Sequence, residues 1–259
     1  MQYFKKLRGV SVWVWVFTVA TILAIIGGYI AGKKRLMSRN NLLKNSGFEN
    51  GKEGWQWLEW SGGWAPFKIS DKIFRSGIRS AYLPVDSTGE SRRTVVWGVV
   101  QEVTVKKCHI DCLEGYYYVG RWERGANKQY LQVVIIDLSR KVKGGGNAQI
   151  RYILSGVDSP PYNLGNAHYV FVDSDRRKDP KIKKWIYFSM DPSFDFATQW
   201  GYEPKEGHLL RVLFEARFDD YILGQGRALA DVYYDDLYLG PRTPIHCMRG
   251  GGMGERIWY

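Results

Sequence analysis

Apolar and polar positions follow two different patterns along the chain. Residues 10–31, VSVWVWVFTVATILAIIGGYIA, form an apolar run without a charged side chain, and about 20 such residues in a helix are enough to cross a bilayer. From residue 41 onward the pattern changes to short runs rich in Val, Ile, Tyr, Phe and Trp, bounded by Gly, Pro, Asn or Asp. This second pattern is typical of β-strands.

The region 41–240 contains ten such runs and shows no sustained helical period. The predicted strands are 68–70, 80–84, 94–105, 115–122, 130–138, 149–154, 169–172, 184–190, 208–218 and 230–239. Ten strands at this spacing predict an all-β domain folded as a two-sheet β-sandwich.

The run 208–218, HLLRVLFEARF, has the clearest two-sided pattern. One side is apolar and is predicted to lie in the core; it consists of Leu210, Val212, Phe214, Ala216 and Phe218. The other side carries charged residues such as Arg211, Glu215 and Arg217. We expect that side to face either water or a ligand groove.

The apolar run 10–31 is predicted to be a transmembrane helix. A cleaved secretory signal is the competing interpretation, but its apolar part should span only about 7–15 residues. The preceding Lys5-Lys6-Leu7-Arg8-Gly9 resembles the class III signal sequence of archaeal type IV pilin-like proteins, which is cut after the Gly. A plain signal anchor is preferred, because basic residues before an anchor helix are common.

These patterns divide the chain into five parts. They are a basic segment at 1–9, the transmembrane helix at 10–31, a polar linker at 32–40, one domain at 41–240 and a tail at 241–259. Because the linker is short, we expect the domain to lie close to the membrane surface.

The net charge of +11 raises the question of a nucleic-acid partner. Such a partner requires a clustered basic patch, whereas many of these cations flank the apolar run or lie within 176–184. No nucleic-acid partner is therefore predicted. The cations beside the run suit the anionic headgroups of a lipid bilayer.

The chain has three cysteines, Cys108, Cys112 and Cys247. A spacing of three residues between the first two is unusual for zinc ligands. One disulfide or buried thiols are preferred over a zinc site, which stays open as the alternative.

Five short motifs follow one another in a fixed order between 41 and 240. They are NLLKNSGFENGKEGW at the opening, GIRSAY at 77–82, Trp97-Gly98 with Gln101, EGYYY at 114–118 with Trp122, and, after Trp185, DVYYDDLYL at 231–239. In this order they resemble the jelly-roll carbohydrate-binding modules of the galactose-binding-like kind. The resemblance implies a jelly-roll β-sandwich and a carbohydrate ligand.

Modules of this kind usually carry one structural calcium ion between the opening segment and the last strand. The resemblance implies that Glu49 and one of Asp235 and Asp236 supply carboxylates, with backbone carbonyls from the loop before Gly77. Ca²⁺ takes six to eight oxygen ligands, so such a set would join the two ends of the domain. The alternative is that Asp235 and Asp236 only end strand pairing or lie in solvent.

Candidate ligand-binding residues are aromatic, because sugars stack their C–H faces on such rings. The resemblance implies that Trp55 belongs to the core. The first candidates lie in a loop-like stretch and the second on a possible sheet groove; they are Trp57, Trp60 and Trp64, followed by Trp97, Trp122 and Arg211. The segments 144–146, 159–184 and 241–259 depart from the usual module and are expected to be additions that contact a partner chain.

The chain has no nucleophile elbow, zinc-protease helix or phosphate loop, so we expect no catalysis. The leading hypothesis is a single-pass, membrane-anchored protein that binds a polysaccharide or glycan. Its C-terminal domain is predicted to be extracellular, because the implied ligand occurs outside cells, although the basic residues slightly favour the opposite orientation. The runner-up is a self-associating subunit of a pilus, filament or envelope layer, and a glycosidase is third.

Overall fold

The computed structural model describes residues 15–23, 40–106, 109–126, 128–172, 179–224 and 226–242. The chain divides into two units, Met1–Asn40 and Asn41–Tyr259. In the first unit, residues 15–23 are helical, and no helix in the described part of the chain combines the length and apolarity needed to cross a membrane. The predicted transmembrane helix at 10–31 lies largely outside the described residues, as do the basic segment, most of the linker and nearly all of the tail.

The second unit is built from two β-sheets. Its elements are β1 (Trp64–Ala65), β2 (Lys68–Ser70), β3 (Ser80–Asp86), β4 (Val95–Thr104), β5 (Cys112–Glu123), β6 (Lys128–Lys141), β7 (Asn147–Ser155), β8 (Tyr162–Leu164), β9 (Ala167–Phe171), β10 (Trp185–Met190), α1 (Pro192–Trp200), β11 (Leu209–Asp219) and β12 (Leu229–Gly240). The seven-stranded sheet has the order β1-β4-β11-β6-β7-β9-β8, and the five-stranded sheet has the order β10-β5-β12-β3-β2.

The predicted two-sheet β-sandwich is confirmed. Each of the ten predicted runs coincides with a strand, within a few residues at its ends. The sequence interpretation missed two short strands, β1 and β8, and the helix α1.

Helix α1 begins and ends at residues with clear helix-boundary chemistry. The side chain of Asp191 caps the first turn by accepting from the N–H of Phe194, and Pro192 follows the cap directly. Gly201 ends the helix in the left-handed region at φ 73°. Nine residues are too few for a sustained helical period, which explains why the apolar pattern did not reveal this helix.

The core lies between the two sheets. On β11 the apolar side predicted from the sequence is buried against the five-stranded sheet; this set is Leu210, Val212, Phe214, Ala216 and Phe218. Trp55 also belongs to the core and packs against the ring of Phe48 at 5.1 Å. Because side chains alternate along each strand, every second one points away from the other sheet. We call that side of each sheet its outer face.

The opening segment pairs with the last strand. The N–H of Leu42 donates to the carbonyl of Leu239 at 2.8 Å, and the Asn41 side chain donates to the carbonyl of Leu237 at 2.8 Å. These bonds bring residues about 200 positions apart to the same edge of the domain.

Candidate functional site

The outer face of the seven-stranded sheet ends in a cavity. Strand register places Leu213, Val134, Arg151, Tyr169 and Tyr162 side by side across five strands. At the end of this row the rings of Tyr162 and Tyr169 are stacked, with centroids 4.5 Å apart and planes 11° apart. The stacked pair forms one wall of the cavity.

This cavity has a volume of ≈ 650 Å³, within the range of about 300–1,000 Å³ that is typical of ligand pockets. Four aromatic rings line it, from Tyr130, Tyr162, Tyr169 and Phe171. Polar side chains share the lining, from Arg124, Lys128, Asp158 and Ser159. The cavity thus combines flat apolar ring surface with hydrogen-bond donors and acceptors.

Two glycines permit the close backbone packing around this cavity. Gly156, which follows β7, has a φ of 105°, and a Cβ there would come within 2.3 Å of the carbonyl oxygen of Gln129. At Gly125 a Cβ would come within 2.2 Å of the Arg227 backbone. Side chains at either position would force the lining strands apart.

A buried polar network supports the wall at Tyr130. The Tyr130 hydroxyl donates to Asp219 at 2.7 Å, and Arg217 bonds both Asp219 and Glu215. The amide of Gln132, which is 0% exposed, donates to Glu215, which is 3% exposed. Burial raises the pKa of Tyr130 well above its usual value, so the hydroxyl remains a proton donor at neutral pH.

This network is not fully satisfied within the described part of the chain. The Oε1 atom of Gln132 and the Nε atom of Arg217 are buried and have no hydrogen-bond partner there. Buried polar atoms without partners cost free energy.

Cations surround the mouth of the cavity and are held by nearby acids. Lys128 forms an ion pair with Asp220 at 3.0 Å. Arg124 pairs with Asp179 at 2.8 Å and also donates to the carbonyl of Gly156. The rim of the cavity therefore carries charged groups of both signs.

None of the tryptophans predicted to bind a ligand lines this cavity. Trp57 is half-buried against the main core, whereas Trp60, three residues later in the same loop before β1, is 76% exposed. Trp64 lies on β1 and packs beside Val100 on the outer face of the seven-stranded sheet. Its ring covers Gly98, where a Cβ would come within 2.8 Å of the indole.

The second group of predicted residues is also dispersed. Trp97 is only 7% exposed and packs against Phe218 in the core. Its prediction as a groove residue is corrected, because it points toward the five-stranded sheet. Trp122 is half-buried at the end of β5 and donates to Asp179, and Arg211 lies on the outer face of the seven-stranded sheet in a pair with Glu102 at 2.6 Å.

The cavity residues were missed for an identifiable reason. Tyr169 and Phe171 alternate within β9, which was a predicted strand, and Tyr130 begins a predicted strand. Tyr162 lies in the segment 159–184, which was interpreted as an added loop. The alternating aromatic pattern of β9 was the available signal, but only its pairing with β7 and β8 brings these rings together.

Two of the predicted calcium residues come together beside β12, the central strand of the five-stranded sheet. The carboxylates of Glu49 and Asp235 both lie within 4 Å of a Cβ position built at Gly47. Glu49 also lies over Gly77, where a Cβ would come within 2.0 Å of its Oε1. Asp236 points elsewhere, toward the Arg75 guanidinium at 3.0 Å.

The fit of this cluster to a calcium ion is partial. Asp235 is 0% exposed, and burial raises its pKa to about 7. Its oxygens accept backbone N–H groups from Arg75, Ser76 and Asp236, whereas Ca²⁺ needs oxygen ligands. Among the described residues no group of three or more His, Cys, Asp or Glu is arranged to hold a metal.

The cysteines add no described metal site. Cys112 is buried on β5, and burial raises the pKa of its thiol to about 12. Cys108 and Cys247 lie outside the described residues, so the predicted disulfide and its zinc alternative stay predictions.

No protein-family model and no curated protein matches the chain. Among solved structures, the enzymatically active domain of tailspike protein 4 from bacteriophage CBA120 is 8% identical with a TM-score of 0.42, over 77% of this chain and 21% of that one. The CBM22-1 xylan-binding domain of Paenibacillus barcinonensis Xyn10C is 13% identical with a TM-score of 0.36, over 79% and 94%. The xyloglucanase domain of NopAA from Sinorhizobium fredii is 10% identical with a TM-score of 0.40, over 73% and 95%. At these identities and TM-scores, function has to be inferred from the chain's own residues.

Proposed function

We propose that this chain is a non-catalytic carbohydrate-binding protein whose polysaccharide or glycan ligand enters the cavity on the seven-stranded sheet. The observation that carries the proposal is the lining itself, in which four aromatic rings share ≈ 650 Å³ with Arg124, Lys128, Asp158 and Ser159. Sugar rings present apolar C–H faces and a rim of hydroxyls. A cavity of rings and polar groups therefore matches both features.

The stacked pair Tyr162 and Tyr169 is the proposed platform. Tyr162 is 42% exposed, and its stacking on Tyr169 holds it against the sheet. Burial raises the pKa of Tyr162, so its hydroxyl stays available as a donor or acceptor at neutral pH. A ring that is already held loses little conformational freedom when a ligand binds.

A binding role is favoured over hydrolysis by the carboxylates at the site. Asp158 is the one carboxylate among the described lining residues, whereas glycosidases generally use a pair at a defined separation. Asp219 and Glu215 lie behind Tyr130 and are held by Arg217.

We also propose that residues 10–31 anchor the chain in a membrane, with the β-sandwich on the extracellular side. The uncharged apolar run and the cations on both sides of it support this.

A structural calcium ion is proposed at Glu49 and Asp235, supported by the convergence of their carboxylates beside Gly47. Asp236 is a weaker ligand candidate because Arg75 and Ser76 engage it.

The proposal is tested with the full-length chain in a non-ionic detergent, first on a glycan array and then by calorimetry with the best ligand. Tyr162→Ala and Tyr169→Ala are expected to lower the affinity by about tenfold or more, because each removes an aromatic anchor. Trp60→Ala is the matched control, since it removes an exposed ring that does not line the cavity.

A blank array with a folded protein, judged by its melting transition, would overturn the proposal. So would affinity that falls for Trp60→Ala and not for the tyrosine variants. Ordered filaments in electron micrographs, together with a blank array, would instead favour the self-associating subunit of a pilus, filament or envelope layer.

A further inference from the structure

The outer face of the five-stranded sheet carries a continuous row of aromatic rings. Strand register places five residues side by side, one from each strand; in spatial order they are Trp185, Tyr118, Tyr233, Tyr82 and Lys68. The three ring-to-ring distances are 5.5 Å, 5.8 Å and 4.8 Å. We call these four rings the aromatic row.

The rings of the aromatic row are partly open to solvent. Trp185, Tyr118 and Tyr82 are half-buried, whereas Tyr233 is buried between its neighbours. A second pair, Tyr116 and Tyr187, continues the ring surface with centroids 5.2 Å apart. Four strands at about 4.8 Å spacing make the row roughly 15 Å long.

Polar contacts hold the row in place. The Tyr82 hydroxyl donates to Asp231 at 2.6 Å, and Arg121 pairs with the same carboxylate at 3.2 Å. Burial, together with the bond to Asp231, raises the pKa of Tyr82 well above its usual value. The hydroxyl therefore keeps its proton, and the ring is oriented before any ligand arrives.

Exposed lysines flank the row at both edges. Lys68 is exposed beside Tyr82, and Lys183 and Lys184 are exposed directly before Trp185. No ion pair of these three lysines occurs among the described residues. The nearby carboxylates of Asp231 and Asp236 are already engaged by arginines, so within the described residues no carboxylate neutralises the lysines at either edge of the row.

We propose that this face is a second binding surface, which takes an anionic polysaccharide carrying carboxylate or sulfate groups. Sugar rings would lie on Trp185, Tyr118 and Tyr82, and the anionic groups would meet the lysines at the edges of the row. The surface belongs to the sheet opposite the cavity, so the two sites are independent.

Charge placement favours a polysaccharide over a single-stranded nucleic acid. Nucleic acid carries a phosphate at every residue and needs a cationic track along its stacked bases. Here the exposed lysines lie at the two edges, whereas Arg121 and Arg75, nearer the middle, are paired with Asp231 and Asp236, and the middle of the row consists of tyrosines. An anionic polysaccharide places its sugar rings over the tyrosines and its charges at the edges.

The test compares binding of the full-length chain to polygalacturonate and to its methyl-esterified form, which is uncharged. The double variant Lys68→Gln with Lys184→Gln should lower affinity for polygalacturonate by about tenfold at low salt, because it removes one charge at each edge of the row. Binding of the wild-type chain to polygalacturonate should weaken as salt rises. The Lys143→Gln and Lys205→Gln double variant is the matched control, because it removes two exposed lysines from loops away from this face.

Ring stacking is tested separately with Trp185→Ala, which is expected to weaken binding at all salt concentrations. If this variant fails to fold, the Lys68→Gln and Lys184→Gln double variant still tests the proposal, because exposed lysines contribute little to stability and this variant should fold. Equal losses in both lysine double variants would overturn the proposal. So would a chain that does not bind polygalacturonate but binds an oligonucleotide or phosphatidylserine vesicles.

Tyr162→Ala, in the cavity, should leave polygalacturonate binding unchanged, so failure of either site can be told from failure of the other.

Discussion

The two outer faces of the sandwich both carry stacked tyrosines, but only one of them encloses an open volume. On the seven-stranded sheet, Tyr130, Tyr162 and Tyr169 surround an open volume of ≈ 650 Å³. On the five-stranded sheet, Tyr82 and Tyr233 stack directly on each other at 4.8 Å, and neighbouring rings fill the space between strands. The first face encloses a volume large enough for a ligand, whereas the second carries an open row of rings whose neighbouring planes are inclined by 12° to 75°.

The charges of the two faces differ in burial. Arg217, behind the cavity, has a side chain only 14% exposed and contacts Glu215, whose side chain is 4% exposed. Arg121, beside the aromatic row, is 46% exposed and contacts Asp231 at 24%. Buried ion pairs depend strongly on both partners, whereas exposed pairs contribute little. The cavity face should therefore be far more sensitive to the loss of one charge.

Arg217→Met provides the largest expected effect. It leaves the carboxylates of Glu215 and Asp219 without their arginine, which should lower the free energy of unfolding by about 3–5 kcal/mol. Denaturant unfolding followed by tryptophan fluorescence measures the change. A loss below about 1 kcal/mol would mean that the network behind Tyr130 is solvated after all.

Two buried acids, one on the five-stranded sheet and one in helix α1, are expected to make stability depend on pH. Burial raises the pKa of Asp235, on the five-stranded sheet, to about 7 and that of Asp195, in α1, to about 6. A raised pKa means that the folded state holds a proton which the unfolded chain releases. Without metal, stability should therefore fall as pH rises from about 4 to about 7, by at most about 4 kcal/mol for Asp235 and less for Asp195.

Asp195→Asn tests this assignment. It should roughly halve the slope of the fall between about pH 4 and 6, where Asp235 still contributes, and leave the fall from about pH 6 to about pH 7 unchanged. Denaturant unfolding in EDTA at several pH values measures both parts. A wild-type profile that is flat over this interval would contradict the raised pKa values.

Calcium addition probes the loop that borders the aromatic row, where Arg75 lies over the ring of Tyr116 at 3.7 Å. Ca²⁺ at about 100 times its Kd should stabilise the fold by about 2.7 kcal/mol. Glu49→Gln should abolish this gain, whereas Glu53→Gln, at an exposed position of the same segment, should retain it. Identical melting curves in calcium and in EDTA would rule out the proposed ion.

Arg121→Met gives the smallest expected effect. Its exposed pair with Asp231 should contribute at most about 1 kcal/mol, which is the counterpart of the buried Arg217 on the other face. Unfolding measurements on the two methionine variants under the same conditions provide the comparison. Equal losses would remove the distinction between the faces.

Local alternation explains why β11 was predicted correctly and Trp97 was not. In β11, apolar and polar residues alternate clearly, so the core side can be identified from the sequence. In β4, the run VVWGVV is apolar on both sides, because Val100 on the outer face is covered by Trp64 and Leu58. Periodicity cannot distinguish inner from outer positions where both are buried.

The convergence of Glu49 and Asp235 was inferred only through a family resemblance, and the structure brings both to Gly47. Trp57, Trp60 and Trp64, in contrast, are neighbours in sequence but have different surroundings. Proximity along an irregular segment says little about which side chains share a surface, because its backbone has no fixed period.

The sequence by itself determined where the strands of the sandwich lie and, for β11, which side is buried, because strand periodicity is a local property of the backbone. Only the tertiary structure decided which strands became neighbours. The aromatic row joins residues from Tyr82 to Tyr233, and the cavity joins Tyr130 to Tyr162 and Tyr169. Both depend on the pairing and register of distant strands, which are set by contacts across the whole domain.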